Sequence, residues 1–347
     1  MKIGLRGALG IGLSVALLAF ALWDVDFGQV WRELRASDPW LFAAATVTGT
    51  LTFLLRARRW RTILEPVAPG LPLGGLWRAT AIGAMVNNVV PARAGELARA
   101  FALTRETPRV TFAGGIASLA VDRLFDAIVV LLLMLGAMLD PRFGAGASAD
   151  QRALATGAAI TGAAGLGVVF LLLYAIVFFP ARLIALFELF ARRVAPGVEQ
   201  RGAQLLRTFA DGLGVLRHPG RFVAVLFWTA LHWLLAAFSF WLGFRAVGIP
   251  APFSAALLVQ GVIAVGVALP SAPGFFGVFE VAALAGLALY GVGTDKAVSW
   301  ALGYHILTFI PITVIGAVYF ARLGLHLGQF GKAGGDAPAE AGGERPA

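Results

Sequence analysis

The sequence predicts an all-α polytopic membrane protein. It has about six full spans, each matched to roughly 30 Å of hydrocarbon, plus two broken or re-entrant hairpins arranged as an inverted repeat. Three observations predict it. Hydrophobic residues make up 59% of the chain and charged ones only 14%, and the apolar residues fall in long runs. Arginines gather at the ends of several of those runs, as they do in cytoplasmic loops. Two runs are interrupted by proline, glycine and a glutamate: Asn87-Asn88-Val89-Val90-Pro91-Ala92-Arg93-Ala94-Gly95-Glu96, and Leu269-Pro270-Ser271-Ala272-Pro273-Gly274-Phe275-Phe276-Gly277-Val278-Phe279-Glu280. Lipid cannot satisfy the amides and carbonyls freed by such breaks, so the broken backbone lines a protected space. Matching breaks in two halves of a chain point to a transporter's binding site.

The elements follow in order. The run from Arg6 to Trp23 ends in Leu22-Trp23-Asp24, without a small-x-small cleavage site, and reads as an uncleaved first span. The loop Asp24–Asp38 carries four acids against two arginines and reads as outside. A second span, Pro39–Leu55, ends at Arg56, Arg58, Arg59 and Arg61, an inside signal. The first broken hairpin, Leu76–Leu103, has Arg78 at its start and Arg105 and Arg109 after it, so both ends read as inside and the segment either dips in and returns or crosses fully and returns. A long span, Thr111–Leu139, leads to a nearly neutral outside loop, and Ala153–Phe179 returns inside. The connector 182–221 holds seven arginines and three acids. Its Leu183, Leu186, Phe187, Phe190 and Val194 recur at helical spacing, which fits an amphipathic helix at the inner interface or a cytosolic helical loop.

The second half repeats the pattern. It comprises a Trp-rich span Phe222–Val247, the second broken hairpin Pro252–Tyr290, and a last span Ala297–Phe320 that ends at Arg322. The domain therefore covers residues 1–325, as halves 1–181 and 222–325 around the connector, and 326–347 reads as a disordered Gly/Ala/Pro/Glu tail. Charge parity puts both termini in the cytoplasm and the chain in the inner membrane, with the two hairpins entering from opposite leaflets.

Composition excludes several chemistries. With no cysteine there is neither disulfide nor thiolate metal site, and the four histidines lack ligand spacing, so no metal or other cofactor is expected. The net charge of +9 reports arginine-rich loops and anionic lipid rather than nucleic acid. No phosphate-binding Walker sequence is present, which argues against ATP hydrolysis.

The residues that could carry function are those at the breaks and those buried at depth. Asp122-Arg123 lies about 15–17 Å into its span, near the bilayer centre, and Asp126 is one turn further on the same face. Such charges must face protein or water. They form either a polar path and headgroup contact or an internal ion pair that locks the span against a hairpin. Glu96 lies three residues from both Arg93 and Arg99, so it either neutralises them or works with them. Arg93 near a broken-helix N-terminus suits a phosphate, and Asn87 and Asn88 offer amide groups to a ligand or to freed backbone. Glu280 follows the Pro270, Pro273, Gly274, Gly277 break with no cation in its own segment; its distant partners are Arg93, Arg123 or His305. It is a candidate proton carrier or a hydrogen-bond acceptor for the hairpin's own amides. His305, in Tyr304-His305, falls where the repeat places the counterpart of Asp122-Arg123. The hairpin breaks themselves are Pro91, Gly95, Pro270, Pro273, Gly274 and Gly277.

Four segments in order carry a family resemblance: Arg56-Ala57-Arg58-Arg59-Trp60-Arg61, Asn88 through Arg99, Asp122-Arg123-Leu124-Phe125-Asp126, and Leu269 through Glu280. Together they resemble the membrane domain of lysylphosphatidylglycerol synthases and their stand-alone, flippase-like relatives, over about residues 10–325. The resemblance implies lipid handling: movement of a lipid with an anionic or lipid-linked headgroup between leaflets, with a lipid-modifying enzyme as a further possible partner. No aminoacyl-transferase domain follows, so aminoacylation does not carry over and no enzyme activity is expected. Tyr304-His305 stands where the family often has an aromatic residue followed by arginine. Two alternatives stay open. One is an integral-membrane transferase on a lipid-phosphate, with Asp122 and Asp126 holding magnesium. The other is a non-transporting lipid-binding accessory subunit that acts through the connector.

Overall fold

A computed structural model describes residues 5–23, 25–90, 94–150, 179–194, 218–267 and 272–326, with scattered residues between 153 and 171 and Gly202. The described residues form helices, with no strand among them. Three of these helices, Pro39–Leu64, Pro219–Ala246 and Thr294–Arg322, are long and apolar enough to cross a membrane.

Helix α1 is Leu5–Leu22. The segment read as a loop instead holds a helix, α2 (Phe27–Ala36), because Asp26 caps it by accepting from the Gln29 amide at 3.1 Å. Helix α3 (Pro39–Leu64) starts at Asp38, whose carboxylate accepts from the Trp40 and Leu41 amides, with Pro39 in the first turn. Its end is a second correction. The helix continues nine residues past Leu55, so Arg56, Arg58, Arg59 and Arg61 are helical, and Arg59 is buried rather than lying in a cytoplasmic flank.

The first broken hairpin is α4 (Leu73–Val89) and α5 (Gly95–Glu106). The two helices touch at two glycines: a Cβ on Gly95 would lie 2.2 Å from the Gly83 carbonyl oxygen. The freed Gly95 amide donates to Asn87 Oδ1 at 2.8 Å, so Asn87 takes the capping role. Pro91, Ala92 and Arg93 lie outside the described residues. At the open end, Arg78 clamps Glu106 at 2.5 and 2.6 Å. Helix α6 (Phe112–Ala137) follows, capped by Thr111 through the Gly114 amide.

Helix α7 (Pro180–Val194) opens the connector. Most of the predicted span 153–179, the rest of the connector and the tail from 327 lie outside the described residues. Helix α8 (Pro219–Ala246) packs along α3. The second broken hairpin is α9 (Phe253–Gly266), a 3-10 turn (Pro273–Phe275) and α10 (Val278–Ala288). Gly274 and Gly277 adopt φ of 70° and 86°, where an L side chain is strained. Pro270 lies outside the described residues. Helix α11 (Thr294–Arg322) closes the fold.

The hairpins open at opposite ends of α6. Hairpin one opens where α6 begins. Hairpin two opens where α6 ends, because Ser254 donates to Asp140 at 2.6 Å and the Gly146 amide donates to the Leu289 carbonyl. Asp140 is further held by Arg142, and these hydrogen bonds, Arg142's first, keep its carboxyl below the ordinary aspartate range. Each hairpin has its own apolar core. One is built on Trp60, Leu64, Leu76, Ile82, Ala98 and Leu103, the other on Phe244, Val259, Phe279, Ala283, Trp300 and Ala301.

Candidate functional site

Two polar centres occupy the apolar interior, one beside each break. The first joins α3, α5, α6 and α8. Asp122 and Asp126 share one face of α6, as the i, i+4 spacing requires, and Arg59 of α3 forks across both. Its Nε is ion-paired with Asp122 Oδ1 at 2.6 Å, and its Nη1 and Nη2 donate to Asp126 at 2.6 and 3.2 Å. All three residues are buried. Arg99 of α5 donates to Asp122 Oδ2 at 3.2 Å, and its guanidinium lies 4.1 Å over the Trp60 ring. Arg123 bridges two helices: Nη2 donates to Glu96 Oε1 of α5 and Nη1 to Asp126 at 3.3 Å. Trp233 of α8 donates to Asp126 Oδ1 at 2.8 Å. At the rim, Arg56 approaches Glu96 at 3.9 Å.

This changes the sequence assignments. Glu96 does not settle on Arg99, its helix neighbour. It pairs with Arg123 and Arg56, while Arg99 turns to Asp122, because buried carboxylates are satisfied by whichever guanidinium reaches them across helix contacts. Trp233, in the Trp-rich span, is a hydrogen-bond donor to Asp126. The oxygens of Asp122 and Asp126 point at guanidinium and indole groups, an arrangement suited to holding helices together rather than a magnesium ion.

The second centre lies within hairpin two and α11. Glu280 Oε2 accepts from the Gly277 amide at 2.6 Å, a carboxylate cap on the freed backbone. Its Oε1 meets His305 Nδ1 at 2.7 Å, and His305 Nε2 meets the Gly274 carbonyl oxygen at 2.8 Å. A carbonyl can only accept, so Nε2 carries a proton. One further proton then lies between Nδ1 and Oε1. The ring is held between Phe276 and Phe279, with centroids 4.4 and 4.2 Å away. Of the three distant partners considered for Glu280, the fold selects His305.

Each break touches a helix outside its own hairpin. Asn88, at the tip of hairpin one, donates to Thr313 of α11 at 2.6 Å. The 3-10 turn that carries Pro273 and Gly274 packs on α4. The predicted site residues Asn88, Glu96, Arg99, Asp122, Arg123 and Asp126 thus belong to the first break and its neighbours, and Glu280 and His305 to the second. Arg93 lies outside the described residues. Sequence reasoning missed Arg59, Arg56 and Trp233 as members of the site. Arg56 and Arg59 are three residues apart and Arg58 is not on their face, so helical spacing through the arginine run was the available signal.

Comparison with known proteins places these residues in context. The family described as the lysylphosphatidylglycerol synthase TM region matches residues 7–316. A UPF0104 membrane protein of Methanothermobacter thermautotrophicus is 27% identical over 331 residues, covering 89% of this chain and 92% of the relative. A protein of Haloferax volcanii named glycosyltransferase AglD is 35% identical over 131 residues, which cover 37% of this chain and only 21% of that protein.

Proposed function

The chain belongs to the family of the lysylphosphatidylglycerol synthase transmembrane region, and on that premise we propose that it is a flippase-like protein that binds a lipid with a polar or phosphate headgroup and moves it between leaflets. The observation that carries this reading is the placement of the two breaks. The hairpins open at opposite ends of α6, the turn of hairpin two packs on α4 of hairpin one, the tip of hairpin one is bonded to α11, and buried ionisable side chains lie beside each break. Irregular backbone and charge at membrane depth are kept where a polar group must pass. In this reading α3–α6 and α8–α11 are inverted repeats, the headgroup travels between the breaks, and the tails stay in lipid. The protein is multi-pass in the cytoplasmic membrane, both termini inside, and α7 lies at the inner interface. It acts without catalysing a covalent step. The name of the Haloferax relative supports a transferase, but the carboxylates here already serve guanidinium groups.

The test uses full-length protein in vesicles that contain tail-labelled fluorescent phosphatidylglycerol or phosphatidylethanolamine, with dithionite added outside. Loss of more than half the signal of one lipid, faster than in protein-free vesicles, supports translocation. Rates equal to protein-free vesicles for both probes overturn it for these headgroups.

A further inference from the structure

The first centre does not balance. Among the described residues it assembles four guanidiniums, Arg56, Arg59, Arg99 and Arg123, against three carboxylates, Glu96, Asp122 and Asp126. An unmatched charge in an apolar interior costs several kcal/mol, so a surplus guanidinium among these residues favours an added counter-charge at the site.

The hydrogen-bond geometry locates the surplus. Arg59 is spent on both aspartates, with 2.6 Å contacts to each. Arg56 has the 3.9 Å approach to Glu96, the same carboxylate oxygen that Arg123 holds, and Arg99 lies one turn along α5 from Glu96. Buried polar atoms of the centre go unused: among the described residues Nε and Nη2 of Arg99, Nε of Arg123 and Oε2 of Glu96 have no hydrogen-bond partner, although the Arg99 side chain is only 2% exposed. The rim is open, with the side chains of Arg123, Glu96 and Arg56 exposed by 39, 27 and 18%. Three convergent guanidiniums with free donors, beside one carboxylate that limits the net charge, fit the tetrahedral oxygens of a phosphate.

We infer that Arg56, Arg99 and Arg123 form a binding site for one phosphate group with a single negative charge, as in a phosphodiester, and that the surplus of one guanidinium holds it. Arg59, Asp122 and Asp126 form the frame beneath. The inference rests on the reading of hairpin one as a headgroup site and narrows the headgroup to a phosphate monoanion. The same chemistry comes from a lipid or from free phosphate, and the two are separable.

The experiment is a binding titration on full-length protein in phosphatidylcholine nanodiscs. Probes are short-chain phosphatidylglycerol and inorganic phosphate. Tryptophan emission is the readout, since Trp60 underlies Arg99, and native mass spectrometry checks it. Arg56→Gln removes the surplus and weakens binding by about tenfold or more, the loss of a charge-assisted contact. Glu96→Gln raises the surplus and tightens binding several-fold. Opposite shifts at two touching residues follow from charge count; loss of structure moves both the same way. Binding of phosphatidylglycerol alone assigns the site to lipid, and equal binding of inorganic phosphate assigns it to the free anion. Unchanged affinity in Arg56→Gln, or shifts of the same sign in both variants, overturns the inference. Vesicle translocation that persists alongside such a result leaves the functional proposal standing, so the two fail separately.

Discussion

Hairpin one and hairpin two answer the same difficulty, a broken backbone inside an apolar fold, with different chemistry. In hairpin one a neutral side chain, Asn87, satisfies the freed amide, and the charges are locked from outside by Arg59 of α3. In hairpin two a carboxylate, Glu280, does both jobs: it caps Gly277 and it holds His305. The first centre is ionic, spans four helices and, among the described residues, sets four guanidiniums against three carboxylates. The second is compact and neutral as a pair, because a single proton between Nδ1 and Oε1 completes it. A permanent guanidinium network resists change, and a shared-proton pair is a smaller lock that one group can undo. The difference teaches that the two breaks are not interchangeable, even though proline, glycine and glutamate recur in both.

Substitutions sharpen the contrast, the largest first. Arg59→Gln leaves Asp122 and Asp126 buried without their main partner, and we expect a loss of about 3–5 kcal/mol, read as a collapse of the thermal unfolding temperature in detergent. Glu280→Ala strips the Gly277 amide and His305 of their partner, at about 1–3 kcal/mol for each buried group left unpaired. Hydrogen exchange should then rise in 272–280 and stay unchanged in 95–106; a rise in both segments would make the hairpins one cooperative unit.

A matched glycine pair follows. Gly95→Ala meets the Gly83 carbonyl at 2.2 Å and costs about 1–3 kcal/mol by forcing α4 from α5. Gly277→Ala costs about 1–2 kcal/mol through its φ of 86°. Gly83→Ala should therefore hurt as Gly95→Ala does, since each approaches the other's backbone, and equal tolerance of all three in thermal melts would remove the close-approach argument.

The smallest effect is at Asp140, outside the spans. Its carboxyl sits below its ordinary value because Arg142 and Ser254 favour the charged form. A depressed folded value gives stability that is present above the ordinary aspartate range near 4 and lost as pH falls through the lower folded value. Asp140→Asn should lower the unfolding temperature slightly at neutral pH, where the wild type has that contribution, and match the wild type at low pH, so that the acid-side loss flattens in thermal melts.

Much of the fold was legible in the sequence because bilayer thickness and helix geometry constrain it. Apolar length gave the helices 219–246 and 294–322 to within a few residues and the start of 39–64, though not its arginine-rich last nine residues, and proline with glycine marked both breaks. The i, i+4 rule put Asp122 and Asp126 on one face. The segment 24–38 misled because its charges, which mark an exposed loop, equally suit a short amphipathic helix once Asp26 and Asp38 act as caps.

What the sequence determined by itself is therefore the membrane class and the places where helices break, since both follow from local composition and spacing, and the family, through the four segments that resemble it. What only the tertiary structure decided is partnership. Glu96 has Arg99 one turn away yet pairs with Arg123, and Glu280 had three distant candidate partners and meets His305. Arg59 looked like one of four equivalent topology signals and became the centre of a buried network. A charge in an apolar interior takes the counter-charge that packing brings within about 3 Å, and which helix brings it is set by contacts far apart in the chain.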